Sequence, residues 1–184
     1  MKKKAAAKKK PKTITLGYSG NGTVAHLSSE LAQKTAGIEL QHIPYKGAAQ
    51  AMTDVMSGQV DLYMSSVPTL LGHVRDQKLR ALAVTSIKRS GELPDTPTLA
   101  ESGYKDFDAV TWFGILAPAG TPADVVARIA EEIRRCGASD ELKTIWAGNG
   151  AEFSTMTPPQ FGSFVGNEVK RWATVVKASG AKFD

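Results

Sequence analysis

The stretch Thr13-Ile-Thr-Leu-Gly-Tyr-Ser-Gly-Asn-Gly-Thr23, running on into Val24-Ala-His-Leu-Ser-Ser-Glu-Leu31, decides the fold. Thr13–Tyr18 alternates and opens on β-branched residues, the pattern of a half-buried strand. Gly20-Asn21-Gly22 interrupts it, and Val24, Leu27 and Leu31 then recur at helical spacing until Gly37. A strand, a glycine loop and a helix make one βα unit. Read outward, the rhythm repeats: Ile38–Tyr45 as strand, Ala48–Gly58 as helix, Gln59–Ser65 as strand, Pro68–Gln77 as helix, Leu79–Thr85 as a fourth strand. Strand starts about 20–25 residues apart are the spacing of βαβ units, so the expectation is an α/β fold with a mainly parallel sheet.

From Ser86 to Asp108 the texture turns to charges, prolines and turns, which predicts an extended surface segment and a lobe boundary. Beyond it Val110–Ala117 reads as a buried strand. Thr121-Pro122-Ala123-Asp124 reads as a helix start with Thr as N-cap and Pro at the first position, and Thr157-Pro158-Pro159-Gln160 repeats the device. Val125, Val126, Ile129 and Ile133, and then Phe161, Phe164, Val165, Trp172, Val175 and Val176, form stripes expected to face a core, with a Ser139–Trp146 helix between them. The expected division is a basic tail over 1–12, one α/β lobe over 13–106 and part of another over 107–184.

The 184 residues are 42% hydrophobic and 22% charged, which argues for a globular body. The net charge of +5 comes from seven lysines within residues 1–12; the remainder is slightly acidic, so the basicity belongs to a tail and gives no nucleic-acid face. A single cysteine, Cys136, excludes an internal disulfide and a cysteine-based zinc site; it falls late in a predicted helix and is expected to be half-buried. Met1–Lys12 has no apolar run of secretory-signal length, so the expectation from the sequence as written is no export signal and a cytoplasmic location.

Gly17–Thr23 places free backbone N–H groups and a helix dipole at one point, the makings of an anion site, with Ser19, Asn21 and Thr23 adding side-chain donors and Gly22 allowing close approach. The plainer alternative is a tight turn whose Asn21 or Thr23 merely caps a helix. Gly17 and Gly22 match part of a phosphate loop, but Thr23 stands where the lysine belongs, and the order of glycines also misses the dinucleotide fingerprint. A nucleotide-dependent α/β enzyme using this loop is the alternative function. Lys46 and Gly47 end the second strand and face the same crevice; Ser65 and Ser66 end the third, with an N-cap as their simpler role. His26, His42 and His73 have no H-x-H or H-x-x-x-H spacing, so neither metal nor cofactor is expected, and no nucleophile motif is present.

Six motifs in order carry a family resemblance: Ser19-Gly-Asn-Gly-Thr23 with His26-Leu27; His42-Ile-Pro-Tyr-Lys-Gly47; Gly58-Gln-Val-Asp61; Lys78-Leu-Arg-Ala-Leu-Ala-Val-Thr85; Leu93-Pro-Asp-Thr-Pro-Thr98; and Trp112-Phe-Gly114 with Ala117-Pro-Ala-Gly-Thr-Pro122. From about Lys9 to Asp184 the sequence resembles the Bug-type (TctC-like) substrate-binding proteins of tripartite tricarboxylate transporters. The resemblance implies a type II periplasmic-binding-protein-like fold in which two lobes close over a small carboxylate. It implies no enzyme activity, a periplasmic location and membrane transporter subunits as partners. The family's carboxylate loops fall on Ser19, Asn21, Gly22, Thr23, Lys46 and Gly47, whereas Ser65-Ser66 stands where an acid or amide is often found. Members usually begin with an export signal and the first half of lobe one. The resemblance therefore implies an N-terminally truncated member, with one complete lobe plus the C-terminal part of the other. A remnant that binds only when the missing half is supplied is the remaining alternative.

Overall fold

A computed structural model describes residues 7–179, so the lysines Lys2, Lys3 and Lys4 of the basic tail lie outside the described residues. The elements are β1 (Thr15–Ser19), α1 (Val24–Ala36), β2 (Gln41–Tyr45), α2 (Ala48–Met56), β3 (Leu62–Tyr63), α3 (Val67–Arg75), α4 (Ala123–Gly137), α5 (Asp140–Gly148) and α6 (Pro158–Ser179). The strands are parallel in the order β2-β1-β3, with Ser19 opposite Tyr45 and Gly17 opposite both Ile43 and Tyr63. This is the parallel α/β arrangement that the strand–helix rhythm predicts.

Alternation along β1 sends successive residues to opposite faces of the sheet. Leu16 and Tyr18 are buried, and the Tyr18 ring stacks on His26 of α1 with centroids 4.6 Å apart. On the other face a Cβ at Gly17 would lie 3.1 Å from the Tyr45 ring and 3.4 Å from Val60, so only a glycine lets those side chains close over the strand. Tyr45, Ala51 of α2 and Val60 form the core there, with Ile43 and Tyr63 against them. Each large side chain so buried contributes about 1.5–3 kcal/mol. Tyr45 also donates from its hydroxyl to Asp54 of α2 at 2.8 Å. At the opposite end of β1, Asp61 accepts from the Thr15 backbone N–H and hydroxyl, both at 3.1 Å.

Several expectations are corrected. Leu79–Thr85 is not a strand: only Val84 bridges, to Thr98, with N–H groups of Val84 and Leu99 donating to Pro97 and Val84 carbonyls. The two-residue β3 is too short to template a longer ladder beside it. The 86–108 segment is more than surface, since Thr96, Thr98 and Phe107 are buried and Glu101 caps the Thr98 turn while pairing with Arg89. Val110–Ala117 is neither strand nor buried; Phe113 is 93% exposed and Ile115 and Leu116 nearly three-quarters so. A strand needs neighbours for its backbone groups, and none of the described residues pairs with this run; it is held where Trp112 lies edge-on to Phe161 and Phe164 of α6 and Gly114 lies against the Phe161 ring.

The stripes of α4 and α6 are half-buried to exposed for the same reason. Val125 and Ile129 are 42% and 47% exposed, because α4 packs on α5 and α6 and no sheet layer crosses it. Thr121 does not cap α4: its hydroxyl donates to Pro118 and Pro122 occupies the cap position. Thr157 does start α6 as expected, in a reciprocal capping box in which Gln160 accepts from its N–H at 2.9 Å.

Candidate functional site

Because the strands are parallel, their C-terminal ends share one edge, and the loops into α1, α2 and α3 leave from it side by side. Ser19 pairs with Tyr45, so residues 20–23 and 46–47 emerge as neighbours. On the other flank the Met64 N–H donates to the Gly17 carbonyl at 3.0 Å, which carries Ser65 and Ser66 to the same edge. All eight residues expected from the sequence therefore lie along one rim.

Three helices start there: α1 after Thr23, α2 after Gly47 and α3 after Ser66. None has an acidic residue in its first turn, where aspartate and glutamate ordinarily offset the positive end of the dipole. Gly47 has no side chain to cap α2, and Ser66 makes no cap bond, its hydroxyl pairing instead with Thr69 Oγ1 at 2.9 Å. The first-turn amides of Val24, Ala25, Ala48 and Ala49 have no acceptor within their own helices. Lys46 is exposed beside them. The rim thus combines open N–H groups with positive potential, which suits an anion.

Two expected donors are committed internally. The Thr23 hydroxyl donates to the Gly20 carbonyl at 2.9 Å and accepts from the His26 N–H, and the Gly22 N–H donates to His26 Nδ1 at 3.0 Å. They shape the loop, helped by left-handed backbone at Gly20 and Gly22, φ 89° and 75°. Asn21 accepts from the Tyr18 hydroxyl through Oδ1 at 3.2 Å, leaving its NH2 as a donor.

Beneath the loop lies a group that sequence reasoning missed. His26, Glu30 and His42 bring their side-chain ligand atoms within 4.8 Å of one another. The Glu30 carboxylate is 3.7 Å from His26 Nε2 and 3.2 Å from His42 Nδ1. The available signal was the i, i+4 spacing of His26 and Glu30 on a helix; the strand partner His42 needs the fold. Hydrogen-bond polarity says what the group is. Leu40 N–H donates to Gln33 Oε1, so the Gln33 NH2 faces His42 Nε2. Each imidazole therefore spends its outer lone pair on an N–H group, and its inner nitrogen carries the proton towards Glu30. Metal-bound histidines have the reverse arrangement, with the outer nitrogen donating. This is a carboxylate beside two imidazoles, close to His42 and beyond hydrogen-bond distance of His26. Burial holds both histidines below their ordinary 6.5, offset by the nearby Glu30 charge, and His42 is depressed further by His26. Burial, then Glu30, raises the Tyr18 hydroxyl.

Cys136 is exposed rather than half-buried. A cleft of about 420 Å³ lined by Leu31, Thr35, Phe107 and Arg171 lies beside the later turns of α1, away from the rim where that helix begins. Among the described residues no helix is long and apolar enough to cross a membrane.

Residues 2–181 match the model of the tripartite tricarboxylate transporter family receptor. Protein BugT of Bordetella pertussis is 36% identical over 178 residues, covering 97% of this chain and 55% of BugT. Among solved structures, R. palustris Rpa4515 with adipate aligns at TM-score 0.85 and 31% identity, over 98% of this chain and 60% of that one. The periplasmic binding protein BugD aligns at 0.80 and 35%, over 98% and 61%. The chain thus spans little more than half the length of these relatives.

Proposed function

This chain belongs to the tripartite tricarboxylate transporter receptor family, and from that premise we propose that it captures a small carboxylate and presents it to membrane subunits of such a transporter. The observation that carries the reading is the shared rim, where three helices begin without a first-turn acid and with Lys46 alongside. A carboxylate seated there accepts from main-chain N–H groups and offsets the positive helix ends. Ser19, Asn21, Lys46, Gly47, Ser65 and Ser66 line the site; Gly22 and Thr23 hold its loop in shape. A receptor family favours this use of the Gly17–Thr23 loop over the nucleotide one. The protein so read is not an enzyme, acts in the periplasm, and consists of a lobe over 13–106 and part of another over 107–184.

Adipate, seen with Rpa4515, is the first probe. Calorimetric titration of the 184-residue chain with adipate and a panel of di- and tricarboxylates is expected to give saturable binding by at least one acid. A Thr23→Val, Lys46→Ala double variant binding that acid as tightly as the parent would remove the site assignment.

A second reading rests on the open 110–116 run and the half-covered α4 and α6 stripes. It makes the chain a component that binds only once another polypeptide segment covers those faces. No saturable binding by the folded chain, together with strong dye binding to exposed apolar surface, favours it.

A further inference from the structure

The Gly22 N–H points away from the rim and into the protein, onto the one imidazole nitrogen that accepts it. The bond sits in a cluster: Gly22 N–H bonds to His26, Gln33 to His42 and Leu40 N–H to Gln33, with the Glu30 carboxylate 3.7 Å from His26 and 3.2 Å from His42 between the two rings. The cluster runs from the loop before α1 to the head of β2, fixing ring tautomers at both histidines. His26 is 8% exposed and stacked on Tyr18, so it has little room to turn its ring over.

We propose that His26 is a positioning residue for the rim: its unprotonated Nδ1 holds the Gly22 amide, and with it the loop, in the shape that presents the open donors. The carboxylate-binding part of this proposal rests on the function proposed above; the loop-holding part does not. A proton on Nδ1 turns the acceptor into a donor, so that two N–H groups confront each other across the present 3.0 Å contact. Gly22 must then swing away, and the loop loses its set. The charged and titratable groups facing His26 are Tyr18 from β1, Glu30 from its own helix and His42 from β2. Burial opposes the imidazolium more than Glu30 favours it, which keeps the ring an acceptor near neutral pH.

Asparagine places Oδ1 close to where histidine places Nδ1, whereas glutamine reaches the Nε2 position and leaves Gly22 without an acceptor. Nuclear magnetic resonance measurement of Gly22 amide exchange protection in the whole chain therefore separates positioning from mere packing. His26→Asn is expected to keep Gly22 protection, and to keep it as the pH falls. His26→Gln is expected to lower it by about tenfold at any pH, the effect of one lost hydrogen bond. The parent is expected to keep protection at the ordinary histidine value of 6.5 and to lose it at lower pH, since burial lowers the folded ring's titration. Equal protection in the two variants, or a parental Gly22 amide indifferent to pH, overturns the proposal.

Adipate titration of the same three proteins divides the two ideas. A pH-sensitive, asparagine-rescued Gly22 amide without adipate binding keeps the loop device and counts against the carboxylate reading for this probe. Adipate binding with a pH-indifferent Gly22 amide does the opposite.

Discussion

Tyr45 at the end of β2 donates its hydroxyl to Asp54 on the last turns of α2, fastening a strand to the helix that follows it with one bond of 2.8 Å. The ring is 8% exposed and closes over Gly17, so this contact holds the α2 face of the sheet just below the rim. Tyr45→Phe keeps the ring and leaves Asp54 without this donor. The expected loss is about 1–2 kcal/mol of unfolding free energy, measured by urea denaturation.

The same tyrosine sets an alkaline limit. Burial, then the bond and charge of Asp54, push its hydroxyl up to about 12 from 10.0. Between these values the unfolded chain has lost a proton that the folded chain retains, so stability falls as pH rises through the window. Tyr45→Phe is expected to flatten that fall. An unchanged alkaline slope in the variant counts against the assignment.

The histidine pair acts at the other end of the scale. Both titrate below 6.5 when folded, so beneath that value the unfolded state binds more protons. Stability accordingly declines as the pH drops through 6.5 and levels once the folded rings are themselves charged. Chemical denaturation at closely spaced pH values checks this, and His42→Asn is expected to make the decline shallower.

Gly17 has no spare volume on its α2 face, with Tyr45, Val60 and Tyr63 all within 3.5 Å of a built Cβ. Gly17→Val is expected to cost about 1–3 kcal/mol through overpacking, despite the high strand propensity of valine. A neutral result in thermal melts would mean that the tyrosines yield more readily than this packing implies.

Phe113 touches little and is 93% exposed. Phe113→Ser is expected to leave stability within about 0.5 kcal/mol while reducing the fluorescence of a dye that reports apolar surface. Undiminished dye signal would place the sticky surface on α4 instead.

Where the sequence was readable, local chemistry and tertiary structure agreed. Thr13–Leu31 carries its strand, its glycine loop and its helix face within one short window, and the Thr157–Gln160 capping box needs nothing beyond its own four residues. The rim followed from topology, since parallel strands put all their following loops on one edge. Val110–Ala117 misled because apolar β-branched composition reports what a segment could bury, whereas burial depends on neighbouring strands that the described residues do not provide. The His26–Glu30–His42 group was half legible: the helical pair is a spacing, but His42 joins it only through the register that sets Leu16 opposite His42. The commitment of Gly22 and Thr23 to internal bonds was not legible, because the same residues serve equally as donors to a ligand and as fasteners of a loop.

The position of β1 in the sheet bears on how the protein is made. Among the described strands it precedes β2 and β3 in sequence and lies between them in space, so both its edges wait for partners translated later: β2 on one side and β3, ending at Tyr63, on the other. At ribosomal rates of about 5–20 residues per second, the nascent chain carries an unpaired strand with both edges open for seconds. The eight-residue rim can take shape only when the third helix start has left the exit tunnel, so ligand competence and completion of the sheet arrive as one event in biosynthesis.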